Sequence, residues 1–342
     1  MSDLNQNPIP EFFQPEKVGE VWRVDYLQRA ADARRWAEAH DIKAAAGDGV
    51  RVQMLLVDVQ NTFCIPGFEL FVAGRSGNGA VEDNHRLVRF IYQNLSRITQ
   101  FTLTMDTHQA FQIFHALYLI NDDGKHPDPY TLVTADDVRS GKWSFNQAAA
   151  ETLDIDPDKA QRDLLHYVKE LGKTERYDLT IWPYHAMLGG IGHAIVSAVE
   201  EAVFFHGVAR YSQADHEIKG MNPFTEHYSV IGPEVRTDAK GEMIAARNLA
   251  FFHKLEQFDV TLIAGQAKSH CVAFTVSDLL DDIQKQNPEL AKKVVLLEDC
   301  TSPVVVPGMD YTEIADQAFE RFAAAGMKLV KSTDPVESWY PD

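Results

Sequence analysis

Apolar positions run almost unbroken through "RVQMLLVDV" (residues 51–59), which predicts a strand buried on both faces, as in a parallel sheet covered by helices. In "NHRLVRFIYQNL" (84–95), Leu87, Phe90, Ile91 and Leu95 recur at spacings of three and four, the period of an amphipathic helix. "ITQFTLTMD" (98–106) reads as the next strand, so the three segments form one βαβ unit. "FDVTLIAG" (258–265) and "KKVVLLEDC" (292–300) repeat the buried-strand signature, and "GMKLVKS" (326–332) is expected to be the last strand. Beyond Cys271, Val272, Val276, Leu279, Leu280 and Ile283 share one helical face, with Ser269 as the expected N-cap.

Two regions interrupt this alternation. Residues 1–50 hold an aromatic lead-in and the helical pattern "VDYLQRAADARRWAEAH", and are expected to form a cap or an oligomer arm. Residues 116–176 separate the second strand from "YDLTIWPYH", far more than the roughly 2 to 6 residues usual for such connections, and predict an inserted subdomain or lid. The expected organisation is an extension over 1–50, a main domain over 51–332 and a tail over 333–342.

Composition narrows the function classes. The chain has 342 residues, 45% of them hydrophobic and 24% charged, enough apolar material for a full core. A formal net charge of −18 argues against nucleic acid and anionic membrane surfaces as partners. No apolar run approaches the ~18 to 20 residues of a membrane helix, and "MSDLNQNPIP" lacks the basic-then-apolar order of a signal peptide, so a cytoplasmic location is expected. Cys64, Cys271 and Cys300 are odd in number and widely spaced, which fits neither a disulfide framework nor a CxxC metal pair.

The candidate chemistry falls at the carboxyl ends of strands, where open α/β sheets build their sites. Asp58 ends the first strand, Asp106 the second, and Cys271 follows the 258–265 strand in the first turn of a helix. There the free N–H groups and the helix dipole favour a thiolate, and Asp58 is placed to act as its base. In "TMDTHQAFQIFH", Asp106 and His108 lie two apart and project to one side of extended backbone, and "IWPYH" offers His185 as a third ligand. One carboxylate with two imidazoles suits a catalytic divalent metal such as zinc, iron or manganese, zinc being the first expectation. His115, His126 and His193 are read as structural or exposed, and Cys64 and Cys300 as packing residues.

Taken together, "LLVDVQNTF", "TMDTH", "IWPYH", "IKGMNPFTEHYS" and "GQAKSHCV" resemble, in order, the motifs of the nicotinamidases and related isochorismatase-like cysteine hydrolases, over roughly residues 51–332. The resemblance implies a three-layer αβα sandwich around a six-stranded, mainly parallel sheet. It implies a triad of Asp58, Lys219 and Cys271, although Lys219 on its own reads as a solvated surface charge. It also implies an oxyanion hole from the N–H groups of Ala267 and Cys271 beside a non-proline cis peptide at Gln266–Ala267, and a substrate ring held by Phe63 and Trp182. The activity implied is hydrolysis of nicotinamide or a related small amide by a homo-oligomer. Gln112 and Met187 depart from the pattern, standing where a histidine and a cysteine are common. Three readings stay open on the residues alone: a cysteine amidase, including one acting on ureido or carbamoyl compounds; a metallohydrolase in which Cys271 is incidental; and a noncatalytic metabolite binder.

Overall fold

The computed structural model describes residues 6–173, 177–306 and 308–340. Residues 1–5 of the expected extension, 174–176 of the insertion and 341–342 of the tail lie outside the described residues. The main sheet has six strands: β1 (Val52–Val57), β2 (Gln100–Asp106), β3 (Asp215–Lys219), β4 (Val260–Gly265), β5 (Val294–Leu297) and β6 (Lys328–Val330). Their order is β6-β5-β4-β1-β2-β3, and every pairing within it is parallel, so the sheet is wholly rather than mainly parallel.

Alternate side chains of each strand point to opposite faces, and the apolar runs therefore feed two cores. Met54 and Leu56 join the core of α2 (Gly79–Gln93) and α4 (Ser197–Arg210), which includes Leu87, Ile91, Ala202 and Phe205. Leu55 and Val57 join the opposite core with α5 (Ala273–Gln286) and α6 (Thr312–Ala324), through Val276, Leu279, Phe319 and Phe322. The N-terminal helix α1 (Tyr26–Ala39) lies over α4, burying Ala33 and setting Trp36 edge-on to Phe205 at 5.6 Å. Among the described residues no helix is long and apolar enough to cross a membrane.

The 116–176 region carries helix α3 (Pro157–Leu171), started by Asp156, whose side chain accepts from the Lys159 N–H, and by Pro157 in the first turn. Two short antiparallel pairs brace it, Leu119–Ile120 with Ser144–Phe145 and Leu132–Val133 with Leu179–Thr180. Val133, Phe145, Leu164 and Tyr167 share the core of Leu55 and Val57, so the described part of this region packs as a continuation of that core.

The periodicity did not announce β3. It is an edge strand, "DHEIK", whose side chains alternate in exposure, and its fully buried position is occupied by Lys219. At the other side of β1, Gly265 takes φ +121°, and a Cβ there would stand 2.1 Å from the Val57 carbonyl oxygen. Only glycine lets β4 end against β1 in this way.

Candidate active site

The site grows from strand ends. Asp106 and Lys219 are the last residues of β2 and β3 and are register partners, so their side chains emerge side by side. Asp58 follows β1 with φ +47°, and Cys271 lies in a single π-helical turn, Lys268–Val272, between β4 and α5. The Gln266–Ala267 peptide that opens this turn is cis. Ser269 is not the cap expected of it. Its hydroxyl accepts from the Val304 N–H at 3.0 Å and meets His270 Nδ1 at 2.8 Å, while the chain at Ala267 is extended.

One ammonium gathers the cluster. Lys219 Nζ is 2.9 Å from Asp58 Oδ2, 2.9 Å from Asp106 Oδ1 and 3.6 Å from Cys271 Sγ, and it donates to the His227 carbonyl at 2.9 Å. Asp58 is held from its other side by Thr104, which the sequence reading did not single out. The threonine hydroxyl donates to Asp58 Oδ1 at 2.5 Å and accepts from the Asp58 N–H at 3.0 Å. A lysine is rarely buried, yet this side chain is only 2% exposed, which is tenable because two carboxylates surround it.

Electrostatics follow from burial and that ammonium. Burial raises the Asp58 carboxyl above the usual carboxylate range, while Lys219 pulls it back. Burial likewise pushes the Cys271 thiol up, again opposed by Lys219. Desolvation therefore works against the thiolate that a helix start favours, and Lys219 works for it. Burial works against the Lys219 charge too, but Asp106, Asp58 and Cys271 hold it well above the ordinary lysine value.

Asp106, His108 and His185 all lie buried, with one ligand atom from each inside a span of 4.8 Å. His108 Nε2 is 2.8 Å and His185 Nε2 3.5 Å from Asp106 Oδ2. Each ring uses Nδ1–H on a carbonyl that can only accept, Gly220 at 3.1 Å for His108 and Pro183 at 2.8 Å for His185. That fixes both Nε2 lone pairs toward the carboxylate, the tautomer a metal requires. The donor set, its closeness and its outer hydrogen bonds fit a divalent ion of zinc, iron or manganese type.

A cavity of about 190 Å³ joins the two clusters, touching Cys271, Ala267, Asp106, His108 and His185. Phe63 and Trp182 both line it, Phe63 edge-on to His185 at 5.7 Å. Glu226, Tyr228 and His270, which the sequence did not single out, also form part of the wall, with Phe68, Tyr130 and His227 among its other residues. Trp182 Nε1 donates to Glu226 Oε1 at 2.9 Å and to the Tyr228 hydroxyl at 3.0 Å, so these two fix the indole plane. Burial, then the nearby Glu234, raises Glu226 well above the usual carboxylate range. Glu226 and Tyr228 stand two apart in "TEHYS", the spacing that had flagged Asp106 and His108, and that was the available signal.

Other sequence expectations also find their places. His115 is fully buried 5.9 Å from His108, ring to ring, with Nδ1 on the Gln109 and Ala110 carbonyls, and burial lowers it to about 3. His193 Nε2 meets Thr107 Oγ1, and His126 Nδ1 donates to the Leu119 carbonyl. Gln112 donates to the Gly220 carbonyl at 3.2 Å, the same oxygen that orients His108, and Met187 pairs through its backbone with His108. Cys64 and Cys300 are buried away from the cavity lining.

This architecture is the fold of a solved nicotinamidase, in keeping with the resemblance. A yeast nicotinamidase superposes with TM-score 0.50 at 18% identity, covering 82% of this chain and 99% of that one. An Acinetobacter baumanii nicotinamidase and pyrazinamidase gives TM-score 0.48 at 18% identity over 83% of this chain and 97% of that one. An isochorismatase-like hydrolase from Alkaliphilus metalliredigens gives 0.43 at 13% identity over 85% and 99%. At such identities the likeness establishes the fold. No protein-family model and no curated protein matches the sequence.

Proposed function

We propose that the protein is a metal-containing cysteine amidase of the nicotinamidase group, hydrolysing nicotinamide or a related small heteroaromatic amide to the acid and ammonia. The observation that carries this reading is the convergence of Asp58 and Cys271 on the Lys219 ammonium, with Cys271 opening on the same cavity as the Asp106, His108 and His185 cluster.

In this reading the Cys271 thiol gives its proton to Asp58 as sulfur attacks the carboxamide carbon. The N–H groups of Ala267 and Cys271 donate to the oxyanion that forms. Asp58 returns the proton to the departing ammonia and leaves a thioester. A water deprotonated by Asp58 then attacks the thioester, the acid leaves, and the proton returns to sulfur. Lys219 keeps Asp58 ionised between these transfers and Thr104 holds its orientation. Asp106, His108 and His185 would hold the divalent ion, which would supply a Lewis-acid centre for a ring nitrogen. Phe63 and Trp182 bound the plane in which an aromatic ring lies.

Ammonia release from nicotinamide and from benzamide tests the assignment, because the two differ at the ring nitrogen. Losing a metal-directed contact in a desolvated pocket corresponds to ~2 to 3 kcal/mol, or roughly 30- to 150-fold in kcat/KM in favour of nicotinamide. Equal rates would remove the ring-nitrogen contact. Turnover of a linear ureido compound with none of nicotinamide would keep the cysteine mechanism and discard the heteroaromatic substrate.

A further inference from the structure

A second cavity, of about 260 Å³, opens between α3 and the 223–244 segment, lined by residues that the proposed chemistry does not use. Its walls are apolar: Ile113, Tyr118, Tyr167, Phe224 and Ile244. Its charged groups are the carboxylates of Asp154, Asp156, Asp163 and Asp238 against the single ammonium of Lys159. Lys159 is already engaged, at 2.6 Å from Asp163 and 2.8 Å from Asp238. The lining therefore carries an excess of negative charge over an aromatic floor.

An independent feature points to a ligand. Tyr118 is only 1% exposed and lines the cavity, yet its hydroxyl has no hydrogen-bond partner among the described residues. In so enclosed a side chain, the hydroxyl is the part that opens on the cavity and is free to meet a donor or acceptor there. The Asp163 carboxylate acts electrostatically on the same hydroxyl. Tyr167, by contrast, uses its hydroxyl to accept from the Glu226 N–H at 3.2 Å, which ties this wall to the catalytic cavity.

We infer that this cavity binds a small organic cation, an aromatic or short apolar body bearing an ammonium or amidinium group. The cationic end lies between the Tyr118 hydroxyl and the carboxylates, and the apolar end lies against Tyr118, Tyr167 and Phe224. Charge and shape agree: rings with a negative face attract a cation, and the surplus carboxylates exclude anions. A cavity of roughly 150 Å³ accepts benzene, so one about 260 Å³ in volume accommodates a ring with a short arm.

Calorimetric titration of the full chain with 2-phenylethylammonium, 2-phenylethanol and 3-phenylpropionate tests this site without using turnover. The expected result is one saturable site for the cation, binding about tenfold or more tighter than the alcohol, weakening with salt, with no heat from the carboxylate. Tyr118→Phe, which keeps the ring, should weaken the cation about tenfold and the alcohol less. Ile244→Trp should fill the cavity and abolish binding, and Asp154→Asn on the exposed rim should weaken it should the larger side chain prevent folding. Alkylation of Cys271 should leave the cation affinity unchanged. Equal heats from all three probes, an affinity unmoved by Tyr118→Phe, loss on Cys271 alkylation, or no heat up to about 10 mM, as for a cavity holding water only, would each overturn the inference.

Discussion

Lys219 and Asp106 end neighbouring parallel strands in register, and the lysine nitrogen lies 2.9 Å from the Asp106 carboxylate. The same nitrogen is 2.9 Å from Asp58, so a single charge ties the candidate ligand set to the candidate proton carrier. Its charge offsets the cost of burying both carboxylates, Asp106 having His108 beside it as well.

Lys219→Met separates these two duties. With the ammonium gone, Asp58 and Asp106 repel through a dry interior and Asp58 takes up a proton, so kcat should fall at least ~100-fold. Asp106, His108 and His185 remain, so elemental analysis should still find metal. Urea unfolding should show a loss of about 3 to 5 kcal/mol, the usual result of breaking a buried ion pair from one side. Unchanged kcat in this variant would remove Lys219 from the mechanism.

Cys271 is 7% exposed and lines the cavity, whereas Cys64 and Cys300 are fully enclosed. Iodoacetamide followed by peptide mass mapping should label Cys271 first, and Cys271→Ala should abolish ammonia release while leaving the thermal midpoint near that of the parent. Comparable labelling of the three cysteines, or an active alanine variant, contradicts a nucleophilic role.

Gly220 sits against the ligands at φ +86°, where a Cβ would come within 2.6 Å of His108 Cε1 and 2.9 Å of Asp106 Oδ1. Protein purified without chelator should hold about one divalent ion per chain. Gly220→Ala should lower metal affinity about 10- to 100-fold, the scale seen when outer contacts of a ligand are disturbed. Replacing both His108 and His185 by alanine should remove the ion, and full metal content in that double variant places the ligands elsewhere.

His206 gives a pH signature away from the site. It is buried, its Nε2–H donates to the Ile98 carbonyl at 2.8 Å, and burial lowers it to about 4. Between the unfolded value near 6.5 and the folded value, the unfolded chain binds the extra proton. Stability is thus fully present above about pH 6.5 and falls as the pH drops toward 4, by about 1.4 kcal/mol per unit for this residue. His206→Gln should flatten that slope in urea unfolding measured at pH 4 to 7. An identical slope in the variant assigns the acid sensitivity to other groups.

The sequence revealed those parts of the molecule whose burial is local. β1, β4 and β5 are almost wholly apolar and could be read directly, as could β2, where Phe101, Leu103 and Met105 alternate with polar residues, and the helical face from Val272 to Ile283. Strand β3 could not, because an edge strand alternates with water and its buried residue is a lysine whose partners lie 113 and 161 positions upstream. Glu226 and Tyr228 offered only their two-residue spacing, and His270 nothing, for a related reason. Their roles in the cavity depend on where an irregular segment folds back, and no period along the chain encodes that. Resemblance supplied Lys219, and the geometry then gave a physical reason for its burial.

The wholly parallel strand order also constrains how the chain reaches this state. β1, at residues 52–57, pairs with β2 nearby but also with β4 at 260–265, across about two hundred residues. On a ribosome, then, the central strand waits with one edge unpaired until most of the chain has been made, and folding dominated by such distant pairings is slow. Asp58 and Cys271 follow those two strands, so an amino-terminal fragment that stops before β4 lacks both the pairing and the sulfur. Truncated chains of this kind should present an unsatisfied apolar strand edge to their neighbours and rely on chaperones to stay dispersed.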